Sequence, residues 1–106
     1  MIKINISYQT NFISSIAITG HAEYADYGKD IVCASVSSIA ITSCNAIQSL
    51  YPDAIATKSS AGNLNIIVKD NRDEVQKLLQ NMLNMFTELA NDYPKNIKIG
   101  GLKWTL

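Results

Sequence analysis

His21 and Cys33 stand twelve positions apart in a chain with one histidine and two cysteines, and together they could supply the base and the nucleophile of a thiol hydrolase. A neutral imidazole can take a thiol proton; the thiolate then attacks an electrophilic carbonyl, and the imidazolium protonates the leaving amine. A thiol in the first turn of a helix also faces the positive end of the helix dipole, which favours its ionised form. Asp30 has two readings. Just ahead of a helix it accepts backbone N–H bonds as a cap; turned towards His21 it orients the imidazole, which is the more useful role in catalysis. Ser37, one helical turn beyond Cys33, could line a cleft or hydrogen-bond near the thiol. Tyr24, Tyr27 and Gly28 make the intervening segment a candidate substrate loop, with two amphipathic rings and a hinge that would let it close over a peptide. An oxyanion formed there would draw on the backbone N–H groups around Cys33.

The same residues have plainer readings. A lone cysteine early in an apolar helix is commonly a small buried hydrophobe, which is the reading taken for Cys44. A histidine after a glycine is commonly a polar turn residue, and Asp30 can be a cap and nothing more. One histidine and two distant cysteines make no zinc site, and there is no glycine-rich phosphate loop, so neither metal nor cofactor is expected.

The elements that must position these side chains follow from the apolar pattern. Ile2, Ile4, Ile6 and Tyr8 alternate with polar residues, the two-residue period of a strand over Met1 to Tyr8. Gln9-Thr10-Asn11 reads as a turn, and Phe12 to Thr19 returns antiparallel, which leaves Gly20 and His21 just past a strand end. Ala22 to Lys29 has no period and reads as a loop. From Ile31 to about Tyr51, Val32, Val36, Ile39, Ala40, Ile47 and Leu50 fall on one helical face, and Pro52 ends the helix. Ala54 to Lys58 and Leu64 to Lys69 form a second hairpin around residues 59–63. Asn71 and Glu74 resemble a capping box, and Val75, Leu78, Leu79, Met82, Met85, Phe86 and Leu89 make the stripe of a second helix. Asn91 offers a left-handed stop to that helix. Ile97 and Ile99 alternate, then Leu102, Trp104 and Leu106 in the opposite parity, with a bulge at Gly100-Gly101. The fold class is α/β: a single mixed or antiparallel sheet with two packed helices, in the order strand-strand-helix-strand-strand-helix-strand, as one domain over residues 1–106.

Composition narrows the partners. Nine basic residues balance nine acidic ones, so the chain as a whole has no excess charge to draw it to nucleic acid or to a membrane surface. The cysteines, if on one helix, lie about 16 Å apart, beyond the reach of a disulfide. Unpaired thiols, no leader and no apolar run of bilayer length predict a cytoplasmic protein without a membrane partner.

Gly20-His21-Ala22 and the run Gly28-Lys29-Asp30-Ile31-Val32-Cys33-Ala34-Ser35-Val36-Ser37 closely resemble the bacterial ribosomal-processing cysteine protease family, whose pattern reads G-H-A, a short loop, then G-x-D-I-V-C-A-A-V-S. Ser35 departs from the usual alanine. The resemblance implies a homodimeric cysteine endopeptidase that removes the N-terminal extension of large-subunit ribosomal protein twenty-seven, cutting after an aromatic pair. It makes Cys33 the nucleophile and His21 its base, with Gly20, Asp30 and Ser37 in supporting positions. The rival from another class is a non-catalytic ribosome- or RNA-binding α/β module presenting tyrosine and tryptophan for stacking, against which the zero net charge argues.

Overall fold

The structure, a computed structural model, describes residues 1–26 and 28–101. Its elements are β1 (Ile2–Gln9), β2 (Phe12–Gly20), α1 (Ile31–Leu50), β3 (Ile55–Ser60), β4 (Asn63–Val68), α2 (Asp73–Asp92) and β5 (Ile97–Gly100). They build one five-stranded sheet in the order β3-β4-β2-β1-β5. All neighbours are antiparallel except β1 and β5, which run parallel, so the sheet is mixed.

Alternation decides which face is covered. Ile4 lies opposite Ile18 and Ile99, and Ile6 opposite Ile16, which in turn pairs with Ile66. These isoleucines form one apolar face, while Lys3, Asn5 and Ser7 point the other way into solvent. Both helices bury residues against the apolar face: Val32, Val36, Ala40, Cys44 and Ile47 from α1, and Val75, Leu79, Met82, Leu83 and Phe86 from α2. Cys44 is the small buried hydrophobe expected, and both cysteines are unpaired. Leu50 departs from expectation: it is 63% exposed at the last turn of α1.

The register of β1 against β2 shifts at Ser7/Tyr8. The bulge leaves Ile13 with backbone groups that Gln76 of α2 takes up, its Oε1 accepting from Ile13 N at 2.8 Å and its Nε2 donating to Ile13 O at 3.0 Å. One amide side chain thus stitches α2 to the far end of the first hairpin.

The ends of α2 differ from the sequence expectation. Arg72, not Asn71, is the N-cap, and it makes no side-chain capping bond. The preceding turn is instead fixed by Asp70, whose Oδ1 accepts from Arg72 N at 3.0 Å while Oδ2 binds the guanidinium. At the other end α2 runs through Asn91 to Asp92 and is closed by Tyr93, whose φ of −128° is not left-handed. Gly101 does have positive φ, and a Cβ there would collide with the Ile6 carbonyl oxygen. Leu102, Trp104 and Leu106 lie outside the described residues. By length and composition alone α1 is apolar enough to cross a membrane, contrary to the sequence expectation, although its inner face is packed into the core.

Candidate active site

β2 ends at Gly20, whose φ is +89° and where a side chain would collide with the Met1 carbonyl oxygen. Gly20 N donates to Gly62 O at 2.9 Å, tying the end of β2 to the tip of the β3–β4 hairpin. The chain therefore leaves the sheet at His21 in a fixed direction, and the imidazole comes to rest over that tip. A Cβ added to Gly62 would lie 2.9 Å from His21 Nε2 and 3.3 Å from Cε1. Real Cβ atoms are essentially never that close to a neighbour, so the bare backbone of Gly62, at φ +67°, forms the seat of the ring.

Cys33 arrives from the opposite side, in the first turn of α1, half-buried. Its Sγ accepts a hydrogen bond from Ala22 N at 3.2 Å, so the sulfur touches the residue immediately after His21. Ala22 is held in turn: its side chain is buried, and its carbonyl accepts from Asn96 Nδ2 at 2.9 Å across 74 positions of sequence.

Asp30 takes the capping reading. Its Oδ1 accepts from Val32 N and Cys33 N, both at 3.0 Å, and its Oδ2 from Tyr24 N at 3.0 Å and Ala25 N at 3.3 Å. The Cys33 N–H foremost, joined by those of Ala25, Tyr24 and Val32, holds the carboxyl below its ordinary range against an opposing loss of solvent. With both oxygens committed to backbone donors, Asp30 makes no hydrogen bond to His21 among the described residues. The expectation that it orients the imidazole is corrected: four converging N–H groups outcompete one ring nitrogen for the anion. The same bonds engage the Val32 and Cys33 amides, and Ala34 N donates to Asp30 O at 3.1 Å. Those helix-start donors are therefore occupied, contrary to their expected use as an oxyanion hole.

His21 and Cys33 open onto one groove of about 630 Å³ between α1 and the β3–β4 hairpin. Ser37 lines it one turn beyond Cys33, as expected, and Gly20 sits at its head. Ile2, Ile18, Val36, Ala40, Ile41 and Leu64 make its walls apolar, with Asn45, Gln48, Thr57 and Asn63 along its length. Cys44 also lines the groove, and burial pushes its thiol up from its ordinary value.

The substrate loop is only partly as expected. Tyr24 does not line the groove; its ring stands edge-on to Tyr93 at 5.4 Å and 83°, docked on the end of α2. An edge-to-face pair together with the Tyr24 N bond to Asp30 favours this docked position over one above the groove. Gly28 has φ +84° and open space around it, consistent with a turn, and it too lies outside the groove lining. Tyr27 lies outside the described residues. Gly62 and Asn96 are the residues that sequence reasoning missed. Gly62 carried a signal as the glycine of a predicted turn, but nothing local connects either residue to His21-Ala22. No group of three or more metal-ligating side chains occurs among the described residues.

A family model described as cysteine protease Prp matches residues 1–98. The ribosomal processing cysteine protease Prp of Staphylococcus aureus is 36% identical over 91 residues, covering 82% of this chain and 85% of that protein. A crystal structure of the Staphylococcus aureus protease with a covalently linked product peptide superposes with a TM-score of 0.89 at 31% identity, over 95% of this chain and 99% of the other. A second, with a substrate peptide, gives 0.82 at 30% identity over 93% and 97%.

Proposed function

The chain belongs to the Prp family of cysteine proteases, and from that premise we propose that it removes the N-terminal extension of large-subunit ribosomal protein twenty-seven by attack of Cys33 Sγ on the bond after an aromatic pair. The observation that carries the reading is the contact of Cys33 Sγ with Ala22 N at the mouth of an apolar groove that also holds His21. The relative crystallised with a covalently linked product peptide supports a covalent mechanism on the same fold.

In this reaction His21 takes the thiol proton, and the thiolate, held by Ala22 N–H, adds to the scissile carbonyl. As charge moves from sulfur to the substrate oxygen, Ala22 N–H is the donor already standing beside the reacting atoms, and it serves the oxyanion in place of the occupied helix-start amides. The imidazolium protonates the departing amine, leaving a thioester on Cys33. Water, deprotonated by the same ring, then hydrolyses the thioester, releasing the excised extension with the aromatic pair at its new carboxyl end and regenerating the thiol. The groove walls of isoleucine, valine, leucine and alanine suit aromatic side chains on the acyl side of the cut.

A second copy of the chain is the proposed partner in the resting state, supported by Ile31 and Ile41, which α1 leaves 55% and 66% exposed. Sedimentation equilibrium checks it, with a dimer mass expected. A cytoplasmic setting is proposed from the unpaired thiols. The non-catalytic module is not retained as the main activity, because the family is one of proteases. Incubating the precursor with the wild type, Cys33→Ala and His21→Ala, and weighing the products by mass spectrometry, tests the reading. The shortened product is expected from the wild type alone; equal cleavage by Cys33→Ala would refute it.

A further inference from the structure

The zero net charge conceals a separation of signs. All nine acidic residues lie in helices and loops, and none of the five strands contains Asp or Glu. The strands do contain lysines, and alternation turns Lys3 of β1, Lys58 of β3 and Lys98 of β5 to the face that the helices leave uncovered. All three are exposed, and among the described residues none makes an ion pair.

Lys3 and Lys98 are direct partners in the parallel β1–β5 ladder. Like charges directly opposite each other on one face destabilise a sheet, and among the described residues no salt bridge relieves this pair. An anion bridging the two ammonium groups would. Lys58 stands three strands away, about 14 Å at the usual strand spacing, so the positive charge spans the width of the face. Between these lysines the outward positions are Asn5, Ser7, Ser15, Thr19 and Asn65, short donors and acceptors, together with Ala17 and the 53% exposed Ile67.

We infer that this open face binds double-stranded RNA through its sugar-phosphate backbone. Lysines with Ser, Thr and Asn side chains are the groups that contact phosphates. Among the described positions between the lysines there is no aromatic ring, so the stacking by which single strands are held is not supplied there. A-form RNA presents 2′-hydroxyls across a wide, shallow minor groove, which a broad face of short amides and hydroxyls can follow. An acidic protein would meet the lysines equally well, and the polyglutamate arm of the test below separates it from RNA. The groove with His21 and Cys33 lies on the helix side of the sheet, so the inference stands apart from the cleavage reading. It places a protease surface opposite the one that receives peptide.

The test measures fluorescence anisotropy of the full chain with a labelled RNA duplex of about 16 base pairs, with the same sequence as DNA, and with polyglutamate. The RNA duplex is expected to bind, with log affinity falling against log salt at a slope of roughly −2 to −3 for two or three neutralised phosphates. Lys3→Gln combined with Lys98→Gln is expected to weaken it at least tenfold, while cleavage of a short peptide persists and reports an intact fold; Lys77→Gln, on α2, is expected to leave binding unchanged. Unaltered RNA binding by the double variant would overturn the inference. So would failure to bind RNA, DNA binding as tight as RNA, or polyglutamate binding as tight as either.

Discussion

Gly62 serves the candidate nucleophile's partner by having no side chain. Its replacement by alanine puts a methyl group 2.9 Å from the resting position of His21 Nε2, so the ring must move. Cleavage by Gly62→Ala is therefore expected to lose kcat by about a hundredfold, the scale of an ångström's misplacement of a catalytic group, with KM much less affected. Steady-state kinetics on a peptide substrate checks this, with circular dichroism to establish that the fold is kept. The two cysteines should separate just as clearly: iodoacetamide is expected to label half-exposed Cys33 first, while Cys44, buried and with its thiol pushed up by that burial, stays unlabelled through neutral pH. Peptide mapping reads both sites at once. That His21 and Cys33 would open onto one groove was legible from residue type and spacing. The role of Asp30 was not, because its choice between imidazole and backbone depends on where the loop brings the amides of Tyr24 and Ala25. Since the folded carboxyl ionises below its ordinary range, its contribution to stability is present above the unfolded value near ~3.9 and disappears as pH falls through the lower, folded one. Asp30→Asn is expected to flatten that acid limb in unfolding measurements; an unchanged limb would remove Asp30 from the cause.

At the scale of elements, the hairpins and the two helices were readable because period-two and helical apolar patterns are long here. Their ends were not, because caps compete. Asp70 reaches the Arg72 amide and guanidinium together, which displaces Asn71 from the expected box, and Tyr93 closes α2 without the left-handed turn that Asn91 offered. Long-range clamps escape sequence altogether: Gln76 meets Ile13 across 63 positions and Asn96 meets Ala22 across 74. Gln76→Ala would leave two part-buried backbone groups unpaired and is expected to cost about 1–3 kcal/mol in denaturant unfolding with little change in kcat. Asn96→Ala should do the reverse, since what it releases is the strap that sets Ala22 N–H against Cys33 Sγ. Tyr24 illustrates the limit of composition as a guide: an aromatic residue in a loop suggested a lid, whereas Tyr93 supplies a ring for it to rest on at the other side of the fold.

Across the whole molecule the sheet has two unlike faces, with helices and an apolar groove on one and, on the other, lysines that make no ion pair among the described residues. Phe86, fully buried beneath the sheet, is the largest side chain joining α2 to the core, and Phe86→Ala is expected to cost about 3–5 kcal/mol in unfolding free energy. Among the described groove-lining residues only His21 and the two cysteines can ionise. Cleavage of a neutral aromatic peptide should therefore hold steady over roughly 50 to 200 mM salt, the range in which binding to polyanions weakens most. The proposed cleavage turns on a single covalent bond between Cys33 Sγ and the acyl half of the substrate. Rapid acid quenching of the wild type with an aromatic peptide ester, followed by tandem mass spectrometry, locates that bond directly. A thioester on Cys33 that forms far more slowly in His21→Ala is the predicted result; an acyl group on any other residue, or a Cys33→Ala variant that turns over the ester at the wild-type rate, contradicts it.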